Sequence, residues 1–513
     1  MTATSRLGSS DPRSEGPRHG DPARIAAALE RAVVVELPPA LPRPRWFGAK
    51  GRAITGARVR DYGAVGERAW LTLIDVTFAE GPDETYAIAL SLGDGGTTSG
   101  LSLTLDLDGT PIRATDAFDH PGFCLELLTA FEREATVPTV RGGSIRFVRT
   151  EGFPRLDPTA SRAPKRLTGE QSNTSVVYGT LLIMKALRKV QPGLNLDYEI
   201  GEFLTARAGF PHVPPLAGAI EYAPAAGEGT TLGLLQRFVP SHGDGWSWVL
   251  DQLRTLQPDQ APEASEHVFQ ALSRLGVVTA ALHGALASDA RDRAFAPELF
   301  TAEDATAWGE RVTEGVRRTC AAVRARLSTL PREIADDAAT LLASERALGE
   351  RARDLQALVD ERCAKIRIHG DYHLGQTLRT DAGFVILDFE GEPARPVAER
   401  RRKQCVLVDV AGMLRSLDYA VHTALAPMSA PSETGERWVR RATASFLEGY
   451  LDEIARVPAR LLPASPSGLS RALAVCELDR ALYEVRYELD NRPTWLGIPL
   501  RGLARLLARE RAS

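Results

Sequence analysis

The sequence predicts an α+β fold in three regions, two rich in strands and then one dominated by helices, and three observations predict it. Apolar and polar residues alternate at period two through much of the first half. Apolar residues recur at helical spacing through most of the second half. A single strand, loop and hairpin segment, residues 365–393, interrupts those helices.

Residues 1–24 are rich in Ser, Gly, Pro and charge and lack an apolar core, so they read as a flexible tail and not as a signal peptide. Residues 25–135 read as a domain of antiparallel strands, at 69–78 and 85–90, with turns at 81–83 and 93–96. Residues 136–240 resume the strands at 144–148, carry them through 180–187 and end at 232–238. From 241 to 513 helices dominate. Val268, Leu272, Leu275, Thr279, Leu282 and Leu286 share one helical face, and much of 306–358 has the same period. His283 on that face reads as a packed core histidine. No internal repeat is visible, and low complexity is confined to the tail.

Composition narrows the function classes. The chain has room for about three domains of ordinary size, and 44% hydrophobic residues suffice for large cores. A net charge of -4 with 25% charged residues gives no bias toward nucleic acid, and the interleaved Trp46, Lys50 and Arg52 read as an intradomain cluster. No apolar run is long enough to span a membrane. The 5 cysteines are odd in number with no CxxC pair, as free thiols in a reducing, cytoplasmic compartment would be.

The chemistry concentrates in His369-Gly370-Asp371-Tyr372-His373-Leu374-Gly375-Gln376 and, after a hairpin, Asp388-Phe389-Glu390. Phosphoryl transfer needs a carboxylate to orient the attacking hydroxyl, plus hard oxygen ligands to hold Mg²⁺ against the phosphates of a nucleotide. Asp371, Gln376 and Asp388 stand in the order that protein kinases use for base, amide ligand and carboxylate ligand. Alternating His369, Asp371 and His373 leave a zinc site open, since imidazole favours zinc. Upstream, Lys185 interrupts an apolar strand and Glu199 lies on the following helix, the pairing that orients nucleotide phosphates in kinases. Arg188 and Lys189 compete for the phosphate role. Ser172 and Ser175 sit in a hydroxyl-rich turn before that strand, whose backbone N–H groups suit phosphate. The run Arg400-Arg401-Arg402-Lys403 reads as a solvated face, a clamp near the active site, or a patch for an acidic partner. Asp479, Tyr483 and Tyr487 share one face of a C-terminal helix, followed by Asn491-Arg492-Pro493-Thr494-Trp495, and fit either a sugar site or ordinary packing.

Taken together, 171–175, the Lys185 strand, Asp244-Gly245-Trp246, 369–376, 387–402, 409–416, Asn491-Arg492-Pro493 and the N-terminal 45–52 resemble the bacterial maltokinase family over roughly residues 25–510. The resemblance implies a bilobal protein-kinase-like (aminoglycoside phosphotransferase-like) fold with an N-terminal β-rich cap. It implies ATP and Mg²⁺ as cofactors, and phosphorylation of maltose at the anomeric hydroxyl to maltose 1-phosphate, feeding α-glucan and glycogen synthesis. By position, Asp371 would be the base and Lys185 with Glu199 the phosphate-orienting pair. Gln376 and Asp388 would bind metal, with Glu390 as a further carboxylate. Ser172, Ser175, Gln236, Phe238 and Val239 would contact the nucleotide, the last three as the hinge. Asp409 would brace the catalytic loop. His373, Arg400, Asp479, Tyr483, Arg492 and Trp495 would surround the sugar. The expected partners are a small sugar and enzymes of the glucan pathway, with neither nucleic acid nor membrane. Two departures, Asp479-Arg480 where Asp-Lys is expected and Met184 to Arg188 without an aromatic before the Arg, bear on the acceptor. A glucosamine or aminoglycoside kinase is therefore the alternative, with a non-catalytic sugar-sensing scaffold behind it.

Overall fold

The computed structural model describes residues 22–93, 99–156, 161–167, 172–254, 265–393, 395–425 and 433–510. The chain divides into two compact units. The first comprises residues 1–149, 155–193 and 218–235, and the second residues 150–154, 194–217 and 236–513. The expected tail lies outside the described residues as far as 21.

In the first unit, a helix spans Pro22–Val35, inside the last residues of the expected tail. Ile25, Ala28, Leu29, Ala32 and Val33 recur at i, i+3 and i+4, and this stripe is buried in one cluster with Leu101, Leu103 and Leu105. The larger of these side chains, Ile25, Leu29 and Val33, contribute about 1.5–3 kcal/mol each when fully buried. Five antiparallel strands follow in the spatial order Ile54–Val65, Ala69–Phe78, Glu84–Leu92, Thr110–Asp116 and Ser102–Leu107. Strand Ala69–Phe78 is buried on both faces except at Thr77. A helix at Pro121–Glu132, with Pro at its start, falls where only strands were expected. The second sheet runs Thr136–Pro138, Ser144–Arg149, Leu216–Ala223, Thr230–Arg237, Leu182–Leu187, Asn173–Tyr178 and Pro164–Arg166.

Buried polar groups tie these two sheets together within the unit. Asp61 takes the hydroxyls of Thr139 at 2.6 Å and Tyr222 at 2.9 Å. Arg188, fully buried, donates to Asp116 at 2.6 Å and Thr174 at 2.9 Å, and lies over the rings of Trp46 and Phe118. Lys189 pairs with Glu84 at 2.8 Å. Both rivals of Lys185 for a phosphate role are thus engaged inside this unit. Trp46 is buried and Arg52 also holds Glu84, so the aromatic and basic cluster is intradomain.

The second unit is helical. Helices Glu266–Leu286 and Glu433–Ile454 cross closely at Gly276, where a Cβ would stand 2.1 Å from the Phe446 carbonyl. Helices Ala302–Arg326, Leu407–Leu425, Pro466–Asn491 and Gly497–Glu510 complete the core. The expected strand at 365–368 is shorter than predicted, with only Ala364–Lys365 paired to Glu298–Leu299. The hairpin is present as Thr377–Thr380 against Gly383–Ile386. All 5 cysteines are buried and free. Among the described residues no helix is long and apolar enough to cross a membrane.

Candidate active site

The loop after Ile368 is held from beneath by one buried carboxylate. Asp409, near the start of helix Leu407–Leu425, accepts the backbone N–H groups of His369 and Gly370, each at 2.8 Å, and pairs with His283 Nε2 at 3.2 Å. Burial opposes ionisation of Asp409, but the hydrogen bond and charge of His283, the charge of His369 and the Gly370 N–H hold its carboxyl below the ordinary carboxylate range. His283 in turn meets the Tyr450 hydroxyl at 2.9 Å, a core histidine that braces the brace. Gly412 on the same helix lies where a Cβ would stand 2.4 Å from the Tyr372 carbonyl, so the helix can approach the loop only without a side chain there.

The loop is stitched to the hairpin. His369 Nε2 bonds the Leu387 carbonyl at 2.8 Å, and Gln376 Nε2 donates to Asp388 Oδ2 at 3.2 Å. Asp388 has φ +64, a left-handed conformation that costs a non-glycine residue on the order of 1 kcal/mol. Asp388, Glu390 and Asp197 bring carboxylate oxygens within 4.8 Å of one another, and Asp197 also takes the Phe389 N–H at 3.0 Å. Three carboxylates and an amide form a hard-oxygen donor set that fits Mg²⁺. Zinc does not fit, because His369 spends Nε2 on Leu387 and Nδ1 on the Asp371 N–H, and His373 Nδ1 takes the Gly375 N–H at 3.0 Å. Burial holds the His373 ring below its ordinary value, hence neutral.

Asp371 opens onto a cleft lined by Trp308, Glu392, Arg395, Arg400, Asp479, Arg480 and Tyr483, among others. Asp479 Oδ2 is held by Trp308 Nε1 at 3.1 Å and Arg311 at 2.9 Å, while its Oδ1 makes no hydrogen bond among the described residues. Arg400 donates to the Glu390 carbonyl at 2.7 Å. Of the remaining basic run, Arg401 holds Glu199 at 2.7 Å, Lys403 holds Glu298 at 2.7 Å and Arg402 is exposed.

Other expected site residues lie elsewhere. The Glu199 carboxylate, expected to hold Lys185, is gripped by Arg367 at 3.1 Å and Arg401. Two guanidiniums satisfy it, and Asp197, on the same helix turn, is the acid placed beside Asp388. Arg492 and Trp495, expected around the sugar, do not line the Asp371 cleft. Arg492 neutralises the buried Glu488 at 2.7 Å and lies 4.5 Å over the Trp495 ring, because the helix must shield Glu488 at its end. Tyr487 stacks on Tyr483 but points outward, 42% exposed. In the first unit Lys185 pairs in register with Ser175, Ser175 is buried, and Ser172 is exposed just before that strand. Gln236 is the second-last residue of strand Thr230–Arg237, with Phe238 and Val239 half-buried after it. Sequence reasoning passed over Asp197, Trp308, Glu392, Arg395 and Arg480, the last 3.1 Å from Asp371. The only signal for Arg480 was its departure from the expected Lys.

No protein-family model matches the chain. A glucosamine kinase of Streptacidiphilus jiangxiensis is 30% identical over 348 residues, 66% of this chain and 72% of that protein. The chain belongs to the glucosamine kinase family. A glucosamine kinase of Mycolicibacterium smegmatis is 28% identical over 357 residues, 68% of this chain and 80% of that one. A solved glucosamine kinase in complex with glucosamine, ADP and inorganic phosphate shares the fold, with a TM-score of 0.66 at 23% identity over 93% of this chain and 99% of that chain. A further crystal form gives a TM-score of 0.67. The fold is therefore kinase-like, and the protein is a phosphotransferase acting on a sugar hydroxyl. The maltokinase resemblance carries that chemistry but not its acceptor. Membership of the glucosamine kinase family leaves maltose and the glucan pathway without support.

Proposed function

We propose that this sugar kinase transfers the γ-phosphoryl group of ATP to a hydroxyl of glucosamine. The observation that carries the acceptor is the carboxylate lining of the cleft beside Asp371. Among the described residues Asp479 keeps one oxygen without a hydrogen bond, and Glu392, held by Arg395 at 2.7 Å, also lines the cleft. An ammonium group is matched by such oxygens, and the faces of Trp308 and Tyr483 suit a sugar ring. The names of the relatives favour the same acceptor.

In this reading Asp371 takes the proton of the acceptor hydroxyl as the oxygen attacks the γ-phosphorus, and the bond to the ADP oxygen breaks. Asp388, Glu390, Asp197 and Gln376 would hold Mg²⁺, which when bound neutralises charge on the phosphates. Lys185, with Ser172 and Ser175, would serve the phosphates, and Gln236, Phe238 and Val239 the adenine. A phosphorus NMR screen of glucosamine, maltose, glucose and kanamycin with Mg-ATP tests the acceptor. Glucosamine is expected to give a phosphomonoester, and turnover of maltose or kanamycin without glucosamine overturns the reading. Asp371→Asn is expected to lower kcat by roughly 10²–10⁴-fold, the worth of a general base.

A further inference from the structure

The geometry points to Arg480 as a positioning residue for the base: it pins Oδ1 of Asp371, so that only the second carboxylate oxygen faces the acceptor hydroxyl. The inference rests on Asp371 being that base. Arg480 Nη2 donates to Asp371 Oδ1 at 3.1 Å, and its guanidinium lies 5.4 Å from the centre of the Tyr483 ring. It does not stand alone. Arg480 Nε lies 3.9 Å from Glu484 Oε1, one helical turn on. The other oxygen of Glu484 receives Nε and Nη2 of the buried Arg415 at 2.9 and 2.8 Å, and Arg415 Nη1 bonds Asp418 at 2.6 Å. Arg505, from helix Gly497–Glu510, also donates to Asp418.

The result is a line of alternating charge, Arg505, Asp418, Arg415, Glu484, Arg480, Asp371, that runs from the C-terminal helix to the reacting carboxylate. Buried carboxylates and guanidiniums alternate without a like-charge neighbour in sequence along the line, so each link fixes the rotamer of the next. A lone surface Arg beside a carboxylate would sample many rotamers and hold it weakly. Here Arg415 is buried and Glu484 nearly so, and the freedom of Arg480 is removed from behind. The fork of Arg480 also explains why Arg suits this position. A Lys at the same place supplies charge to Asp371 but lacks the planar guanidinium whose Nη2 bonds Asp371 while its Nε side faces Glu484 at ion-pair distance.

Other charged or titratable groups face Asp371. His369 and His373 come from its own loop, Glu392, Arg395 and Arg400 from the segment after the hairpin, and Asp479 and Tyr483 from the same helix as Arg480. Arg480 is the cation in hydrogen-bond contact with the carboxylate, so its removal dominates the local change.

The test compares Arg480→Gln, Arg480→Lys, Glu484→Gln and Asp371→Asn, with kcat, KM for ATP and KM for glucosamine. Arg480→Gln is expected to lower kcat ten- to a hundredfold and leave KM for ATP unchanged. Arg480→Lys should restore the rate in part, and Glu484→Gln should reproduce the rate loss in part. A wild-type kcat in Arg480→Gln overturns the proposal, as does a change confined to KM. If Arg480→Gln does not fold by circular dichroism, Glu484→Gln decides, and normal kcat in it is the overturning result. Full turnover by Asp371→Asn instead overturns the base assignment itself, whatever the Arg480 variants do.

Discussion

Asp409→Asn tests whether the catalytic loop is held by charge. The carboxylate accepts three donors, His369 N, Gly370 N and His283 Nε2, at 2.8, 2.8 and 3.2 Å, with 1% of the residue exposed. An Asn keeps one oxygen, which can serve Gly370, and turns an NH₂ group toward the other two donors. His283 can adapt by moving its proton to Nδ1 and donating to the Tyr450 hydroxyl, now 2.9 Å away, while accepting from the Asn amide. The His369 N–H cannot adapt. One buried donor is therefore stranded and charge-assisted bonds are lost, so about 2–3 kcal/mol of stability should go. Asp409→Ala strands all three and should cost more. The pH dependence has a definite sign. Asp409 titrates below its ordinary value when folded, so its contribution is fully present above the unfolded value of roughly 4 and is lost as pH falls through the folded one. Asn does not titrate. The stability gap between wild type and variant should be flat from about pH 5 to 8 and should narrow below about pH 4. Denaturant unfolding across that range reads it, and kcat at neutral pH should drop at least about tenfold as the loop loosens. No gap at pH 7, or a gap that widens on acidification, refutes the reasoning.

Three further outcomes follow from the same coordinates. Gly412→Ala drives a methyl group to 2.4 Å from the Tyr372 carbonyl and should cost about 1–3 kcal/mol by forcing the helix off the loop, with a matching fall in kcat, both read on one purified variant. Asp116→Asn leaves the Arg188 guanidinium buried without its counter-charge and should cost roughly 3–5 kcal/mol in urea unfolding, whereas Arg188→Met, which removes the charge as well, should cost less. Mg²⁺ should raise the melting temperature of the wild type by mass action, by the equivalent of about 2.7 kcal/mol at a hundred times Kd. Asp388→Asn, whose side chain tolerates the positive φ, should fold but lose that increment; an undiminished shift would move the ion away from the Asp197, Asp388 and Glu390 cluster.

How much of this was legible in the sequence depended on how local the cause was. The loop and hairpin were readable because Asp371, Gln376 and Asp388 sit within eighteen positions and their order is imposed by one strand, one turn and one hairpin. Glu199 and Asp197 could not be separated that way. They are two residues apart on a seven-residue helix, Leu196–Glu202, and only the docking of Arg367 and Arg401 on one and Phe389 N–H on the other tells them apart. The spacing of Asp479, Tyr483 and Tyr487 correctly gave a shared helical face, yet a face is wider than a cleft, and Tyr487 falls at its outer edge. Helix Pro121–Glu132 was hidden by its setting among strands, although Pro121 at its start and buried Phe123, Leu127 and Phe131 carry the helical period.

The acceptor was the least legible feature, and the reason is physical. Chemistry is set by groups that must touch phosphate and metal, so their residue types are few. An acceptor pocket only has to complement a shape and a charge, and the cleft proposed for it is assembled from helix Ala302–Arg326, the segment after the hairpin and helix Pro466–Asn491, which are far apart in sequence. Trp308 enters the cleft because its indole N–H fixes Asp479, and neither residue signals the other by spacing. A single exchange in such a wall, Lys for Arg beside the base or an amide for Asp479, alters what the pocket accepts and leaves the phosphoryl-transfer parts in place. Resemblance in the motif region therefore identifies the reaction, while the acceptor has to be argued from the side chains that meet around Asp371.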